Sequence, residues 1–514
     1  MQAYKQLEDR FGQITALKQI DSLLDWDRSV LMPEAAVNQR ARQTEVLNIK
    51  IHEMQTDPQV GEWLAAADKK SLSPWQAANL RVMEWQYNHA TAVPADLVAR
   101  KMNQETRTEV IWRKARAADD FSVVQGELTT MLSIVRDQAA AKADKLGTCK
   151  YGALMDSYAP GMSVASVDAA FEDVAAFLPS FITEVLDTQQ EPLPLGAPFD
   201  IGTQQKLCQQ VCELIGFTPD WGRLDISLHP FSSGIGNDVR ITTRYKEEDF
   251  TDAMQGVAHE AGHGFYDRYT PAEWQHQPVG ASQNMGMAIH ESQSLSIDMQ
   301  LGRSLEYWQF MAPHVQKAFG RNDAALSAEN LHRHVKRVSR SFIRVEADEV
   351  TYPAHVILRY RLERAMVEGK LDVKDLPDAW MEGMRELIGV APPSNRMGCL
   401  QDIHWYFGAF GYFPAYALGA FIAAQMADKM KRDIPDVLPQ VAAGNIGAFT
   451  GWLKDNVQAK ACLLTPPDLI KDATGQPFST YYFKKHVTER YLGKKYEGSA
   501  ACPATSAPEA PRRA

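Results

Sequence analysis

Val257-Ala258-His259-Glu260-Ala261-Gly262-His263-Gly264-Phe265 carries an H-E-x-x-H motif inside a helical pattern. Histidines four residues apart stand one above the other on a helix face, so both imidazoles can reach one ion. Glu260 projects from the same turn, placed to take a proton from a water on that ion. The helix rests on the apolar stripe Phe250, Met254, Val257, Ala261 and Phe265. Acidic Glu247, Glu248 and Asp249 precede it and Thr270-Pro271 ends it, as the dipole and proline rules expect. Gly262 and Gly264 each cost roughly 1 kcal/mol in a helix interior. That cost points to something passing close to the backbone there. The bland alternative is a partly buried helix whose histidines bond to carbonyls. The favoured reading is a zinc hydrolase, with a peptidase first among them.

Such a site needs a third protein ligand and an open fourth position. The best candidate is Glu291, in Ile289-His290-Glu291-Ser292-Gln293-Ser294, 28 residues after His263. Pro278-Val279-Gly280-Ala281-Ser282 reads as a turn with Ser282 as N-cap, and Met285, Ile289, Ser292 and Leu295 share one side of the helix that follows. Two successive helices joined by a short loop face each other, which brings Glu291 against the histidine pair. His290 competes, but adjacent helical residues point about 100° apart, so only one of the two reaches the ion. Glu291 is favoured, with His290 behind it or touching substrate.

Outside this region helical periodicity dominates. Helices are expected over about 2–24, 35–55, 75–91 and 94–145, with Asp25-Trp26-Asp27 and Met32-Pro33 interrupting the first pair. They resume near 165–189, 203–215, 304–319, 327–368, 374–388, 415–431, 435–458 and 479–492, with Pro353 kinking the 327–368 segment. One stretch differs. Leu224–His229 and Asp238–Thr243 alternate apolar and polar residues around the glycine-rich Ser232–Asn237, which reads as a β-hairpin beside the metal helix. A sheet edge there could pair with an extended peptide.

A 57.4 kDa chain with 45% apolar and 23% charged residues has the composition of a large globular enzyme. Residues 1–497 are expected to form one large helical domain, and the small, proline-rich 498–514 a disordered tail. The net charge of −10 argues against nucleic-acid binding. Six scattered cysteines contain no C-x-x-C pair. With no secretory h-region and no apolar run long enough to span a bilayer, a cytoplasmic protein without a membrane partner is expected.

Six ordered motifs carry a family resemblance. They are His229-Pro230-Phe231, Asp238-x-Arg240-x-Thr242, His259-Glu260-x-x-His263, His290-Glu291-Ser292-Gln293, Ile343-Arg344-x-x-Ala347-Asp348 and Gly398-x-x-Gln401-Asp402-x-His404-Trp405. Together they resemble the signature set of the M32 metallocarboxypeptidases, the carboxypeptidase Taq family, from near residue 1 to about 495. Leu295 departs from the pattern, since several members have arginine after the His-Glu-Ser-Gln-Ser run. The resemblance implies a mainly α, neurolysin-like multi-helix fold with a deep cleft, usually a homodimer. It also implies removal of C-terminal residues from peptides with a free C-terminus, using Zn²⁺ or Co²⁺.

On that reading Glu260 is the general base and acid, and His259, His263 and Glu291 hold the metal. Tyr412 and Tyr416 resemble the tyrosines of related helical zinc peptidases and, with His404, are candidate donors to the oxyanion. A free carboxylate calls for a buried, bidentate arginine. Arg240 and Arg344 are the two choices, with His229 and His290 as further substrate contacts. Arg344 and Asp348 are also spaced as an intrahelical ion pair. Asp238, Asp402 and Asp267 are carboxylates suited to orienting cations or imidazoles. The rival readings are a zinc endo-oligopeptidase of the same fold and a non-enzymatic helical scaffold.

Overall fold

The computed structural model describes residues 1–499. The expected tail therefore lies outside the described residues from 500 onward. The chain is mainly helical, as expected. Helices α1 (Gln2–Val30), α2 (Val37–Thr56), α3 (Pro58–Ala66) and α4 (Pro74–Thr91) enclose a small core of their own built on Tyr4, Leu7, Phe11, Ile51 and Met83. Helices α5 (Ala95–Ala118), α6 (Ser122–Leu146), α7 (Lys150–Met155), α8 (Val164–Thr188) and α9 (Ile201–Ile215) lead into the main core.

After α9 come strands β1 (Gly222–Ile226), β2 (Ser232–Ile235) and β3 (Asp238–Thr243), then α10 (Thr251–Tyr269) and α11 (Met287–Leu295). The remainder includes α12 (Leu305–Phe319), α13 (Ala328–Val335), α14 (Tyr352–Val367), α15 (Leu376–Leu387), α16 (Pro414–Asp433), α17 (Val437–Ala442) and α18 (Gly447–Asn456). Among the described residues, no helix is long and apolar enough to cross a membrane.

Several sequence expectations are corrected. α1 does not stop at Asp25-Trp26-Asp27. Trp26 is buried, Asp27 accepts from Arg40 at 2.6 Å and Asp25 from Arg28, so all three residues are accommodated on a continuous helix. The break comes at Pro33, where the preceding residue is pushed out of the α region. The 327–368 segment is two helices, not one kinked helix. Pro353 occupies the first turn of α14, where its missing N–H leaves no hydrogen bond unmade. Asp348 ends the intervening loop by accepting the Val350 and Thr351 backbone N–H groups, both at 3.0 Å. The 435–458 segment is likewise broken, into α17 and α18, by the Gly444 turn.

The sheet differs from the expected hairpin in its pairing. β2 and β3 form a short antiparallel hairpin with Ile235 opposite Asp238, while β1 runs parallel to β3 on its other edge, giving the order β1-β3-β2. The turn is Gly236-Asn237, with Gly236 at φ +59°, and a two-residue turn of this kind matches strand twist. That tight turn claims Ser232–Ile235 as the hairpin partner and leaves β1 to the far edge. Val239 and Ile241 face the core. Arg223 and Arg240, paired across β1 and β3, lie over the Trp26 ring at 4.9 and 4.2 Å and tie α1 to the sheet.

Candidate active site

His259 and His263 project from α10, and Glu291 from α11, so that one ligand atom from each lies within 4.8 Å of the others. His263 Nε2 is 3.3 Å and His259 Nε2 4.0 Å from Glu291 Oε2. The convergence follows from how closely the helix backbones approach. A Cβ on Gly262 would stand 2.5 Å from the Gln293 carbonyl oxygen and the Ser294 Cα, so only glycine lets α10 and α11 meet there. On the opposite side, a Cβ on Gly419 of α16 would lie 2.7 Å from Cβ and Cγ of Glu291. Glu291 is therefore wedged between two helices. Gly419→Ala should move the carboxylate off the ion and lower metal affinity at least about tenfold, with overpacking costing about 1–3 kcal/mol of stability. Competition with a chelator checks the first and thermal unfolding the second; an unaltered metal affinity would contradict the wedge.

Behind the donors, hydrogen bonding fixes the tautomers. His263 Nδ1 is 2.6 Å from His290 Nδ1, and His290 Nε2 is 3.2 Å from Asp267 Oδ1, which also accepts from the Ser282 hydroxyl. A carboxylate only accepts, so His290 donates from Nε2 and accepts at Nδ1. His263 then donates from Nδ1 and keeps its Nε2 lone pair facing Glu291. His290 is thus buried between His263 and Asp267, behind the donors. Ser282 is part of this relay rather than an N-cap, since α11 starts after Gly286. Asp267→Asn can present its amide N–H to His290 and reverse the chain. We expect metal affinity about 10- to 100-fold weaker, read by titration with a metal-sensitive dye; tight binding retained in the variant would refute the relay.

His259 Nδ1 faces Asp298 Oδ2 at 3.6 Å, from a π-helical turn that follows α11. The local field favours a cation. Burial opposes charge on His259, but Asp298, Glu291 and Glu260 outweigh it and raise the imidazole to about 10. Burial pulls His263 down to about 4, leaving it neutral, as a ligand must be. The neutral His263 nitrogen, a His259 nitrogen that must shed its proton to ligate, and one carboxylate held below its usual range by His263 and His259, despite burial, are a donor set suited to a divalent transition metal. Glu260 is buried and raised to about 7, chiefly by desolvation.

A second cluster adjoins the first through α16. Tyr416 packs against Tyr412, with ring centroids 5.1 Å apart, and His404 lies 5.6 Å from the Tyr412 ring and 6.3 Å from that of Tyr416. Burial lowers His404 to about 3. Arg344 is buried over Tyr416 at 4.9 Å and binds Asp402 through Nε at 3.0 Å and Nη2 at 3.1 Å. It lies in a 3₁₀ turn, so the intrahelical pair with Asp348 does not form.

Two further expected contacts lie on or beside the sheet. Arg240 is engaged by Asp238 at 2.8 and 3.0 Å and by Trp26, and His229 is exposed just beyond β1. Leu295 is buried at the end of α11. Sequence reasoning missed Asp298 and Arg359. Asp298 follows Glu291 by seven residues, two helical turns, a spacing that could have marked it. Arg359 had no local signal.

A helical fold in which an H-E-x-x-H helix meets a glutamate from the next helix defines a metallopeptidase. The chain belongs to the carboxypeptidase Taq (M32) metallopeptidase family, whose model matches residues 6–491, and it is a metallocarboxypeptidase. It is 33% identical to thermostable carboxypeptidase 1 of Thermus thermophilus, over 94% of this chain and 98% of that one. Among solved structures it resembles Trypanosoma cruzi metallocarboxypeptidase 1 (33% identity, 96% of this chain and 99% of that one, TM-score 0.92). It also resembles the M32 carboxypeptidase of Deinococcus radiodurans R1 (32% identity, 96% and 99%, TM-score 0.91).

Proposed function

We propose that this metallocarboxypeptidase removes C-terminal residues from peptides at the His259–His263–Glu291 centre, with zinc or cobalt as its ion. The observation that carries the reading is the adjacency of that donor set to a buried arginine, Arg344, through Tyr416. Held by His259, His263 and Glu291, a divalent ion would supply Lewis-acid polarisation and would lower the pKa of an attacking water towards neutrality. Glu260 accepts that proton and delivers it to the leaving amine. Tyr412, Tyr416 and His404 supply donors to the developing oxyanion. Arg344, steadied by Asp402 on its Nε–Nη2 edge, presents its remaining N–H groups to the substrate carboxylate. Arg240 keeps the sheet docked on Trp26 instead.

Residues 1–497 acting as one domain, a homodimer and a cytoplasmic location complete the proposal. The first two rest on family resemblance. The unpaired thiols of Cys149, Cys208, Cys212, Cys399 and Cys462 support a reducing compartment. Digestion of a peptide beside its C-terminally amidated twin tests the central claim. The free acid should be shortened from its end in a ladder while the amide persists; equal cleavage of both would sink it.

A further inference from the structure

Asp402 serves two arginines. Its Oδ2 accepts from Arg344 Nε and also from Arg359 Nη1 at 2.9 Å. Arg359, on α14, is fully buried, with its guanidinium 3.9 Å from the Phe413 ring centroid, 4.3 Å from that of Trp405 and 5.4 Å from that of Trp380. Its Nε and Nη2 have no hydrogen-bond partner among the described residues. A fully charged side chain buried with donors unmade is costly. An apolar residue would pack this spot more cheaply, so the charge itself needs a purpose.

Electrostatics supplies one. Arg344 and Asp402 alone form a neutral pair, which exerts little pull on an arriving carboxylate. Two guanidiniums around one carboxylate leave a net charge of +1. Of the other titratable groups nearby, Glu363 attracts Arg359 through space and offsets part of that charge, while its oxygens are held by other donors. Glu363, one turn further along α14, accepts from Tyr151, Trp405 and the Gly411 backbone N–H. His355 and His404 stay neutral, both lowered to about 3 mainly by burial.

We propose that Arg359 is a positioning residue for the substrate's C-terminal carboxylate: it fixes Asp402 from behind and gives the Arg344–Asp402–Arg359 triplet one more positive charge than negative. Arg359 is out of substrate's reach and acts through Asp402 and Arg344. The proposal rests on the reading of Arg344 as the carboxylate clamp.

Steady-state kinetics on a free-acid tripeptide, with metal content and circular dichroism as controls, tests it. Arg359→Met should raise KM about tenfold with kcat altered less than about threefold, the mark of lost uniform binding. Arg359→Lys, which keeps the charge, should restore most of the affinity. Should the methionine variant not fold, Arg359→Gln, which keeps a donor for Asp402 but no charge, is expected to raise KM equally. In an Arg344→Met background the Arg359 substitutions should add less than about twofold, because coupled residues are not additive. An unchanged KM in the Met or Gln variant, or a full multiplicative effect in the double variant, overturns the proposal while Arg344→Met still raises KM. If Arg344→Met itself leaves KM and amide discrimination intact, the clamp reading fails and the proposal falls with it.

Discussion

Glu260→Gln should lower kcat about a thousandfold, within the range for losing a general base, while the protein keeps its metal. The glutamine has the same shape but cannot accept and return a proton. Glu260 sits buried beside Glu291 and Asp298, whose charges add to its desolvation and raise its carboxyl further. Removing one negative charge from that setting relieves repulsion, so the variant should fold at least as well as the parent. The measurement pairs liquid chromatography of the released amino acid with metal analysis of the same sample. Metal lost together with activity, or a fall in kcat below tenfold, would show that Glu260 is not the proton carrier.

The second large effect concerns substrate capture. Arg344→Met should reduce kcat/KM for free-acid peptides by about two to three orders of magnitude, since cutting one partner of a buried charge pair costs about 2–5 kcal/mol. It should also erase the preference over the amidated twin. The fold is expected to survive, because Asp402 retains Arg359 at 2.9 Å and is not left as an orphaned buried carboxylate. Arg240→Met offers the contrast. Its guanidinium is engaged by Asp238 and Trp26, so the variant should lose stability at the sheet and keep its carboxylate preference.

What could be read in advance was what local geometry fixes. The i,i+4 histidines and the expensive Gly262 both belong to one helix, and the close backbone contact inferred at Gly262 is the approach of Gln293 and Ser294. Glu291 followed from two helices in succession. Where the partner lay far along the chain, spacing misled. Arg344 pairs with Asp402, not Asp348, and Arg359 joins the same carboxylate from another helix. In the sheet, alternation marked β3 correctly, yet alternation carries no information about which segment lies beside it. Pro353 illustrates a different limit, since a proline inside a helical pattern fits a kink and a first-turn position alike.

The close approaches at Gly262 and Gly419 have one more consequence. Because α11 lies against the bare backbone of α10 at Gly262 and of α16 at Gly419, the spacing of His259, His263 and Glu291 is set by helix positions, with little rotamer slack. The donors are thus preorganised before the ion arrives. Emptying and refilling the centre should require no rearrangement of the surrounding helices, and selection among divalent ions falls to coordination geometry instead of induced fit.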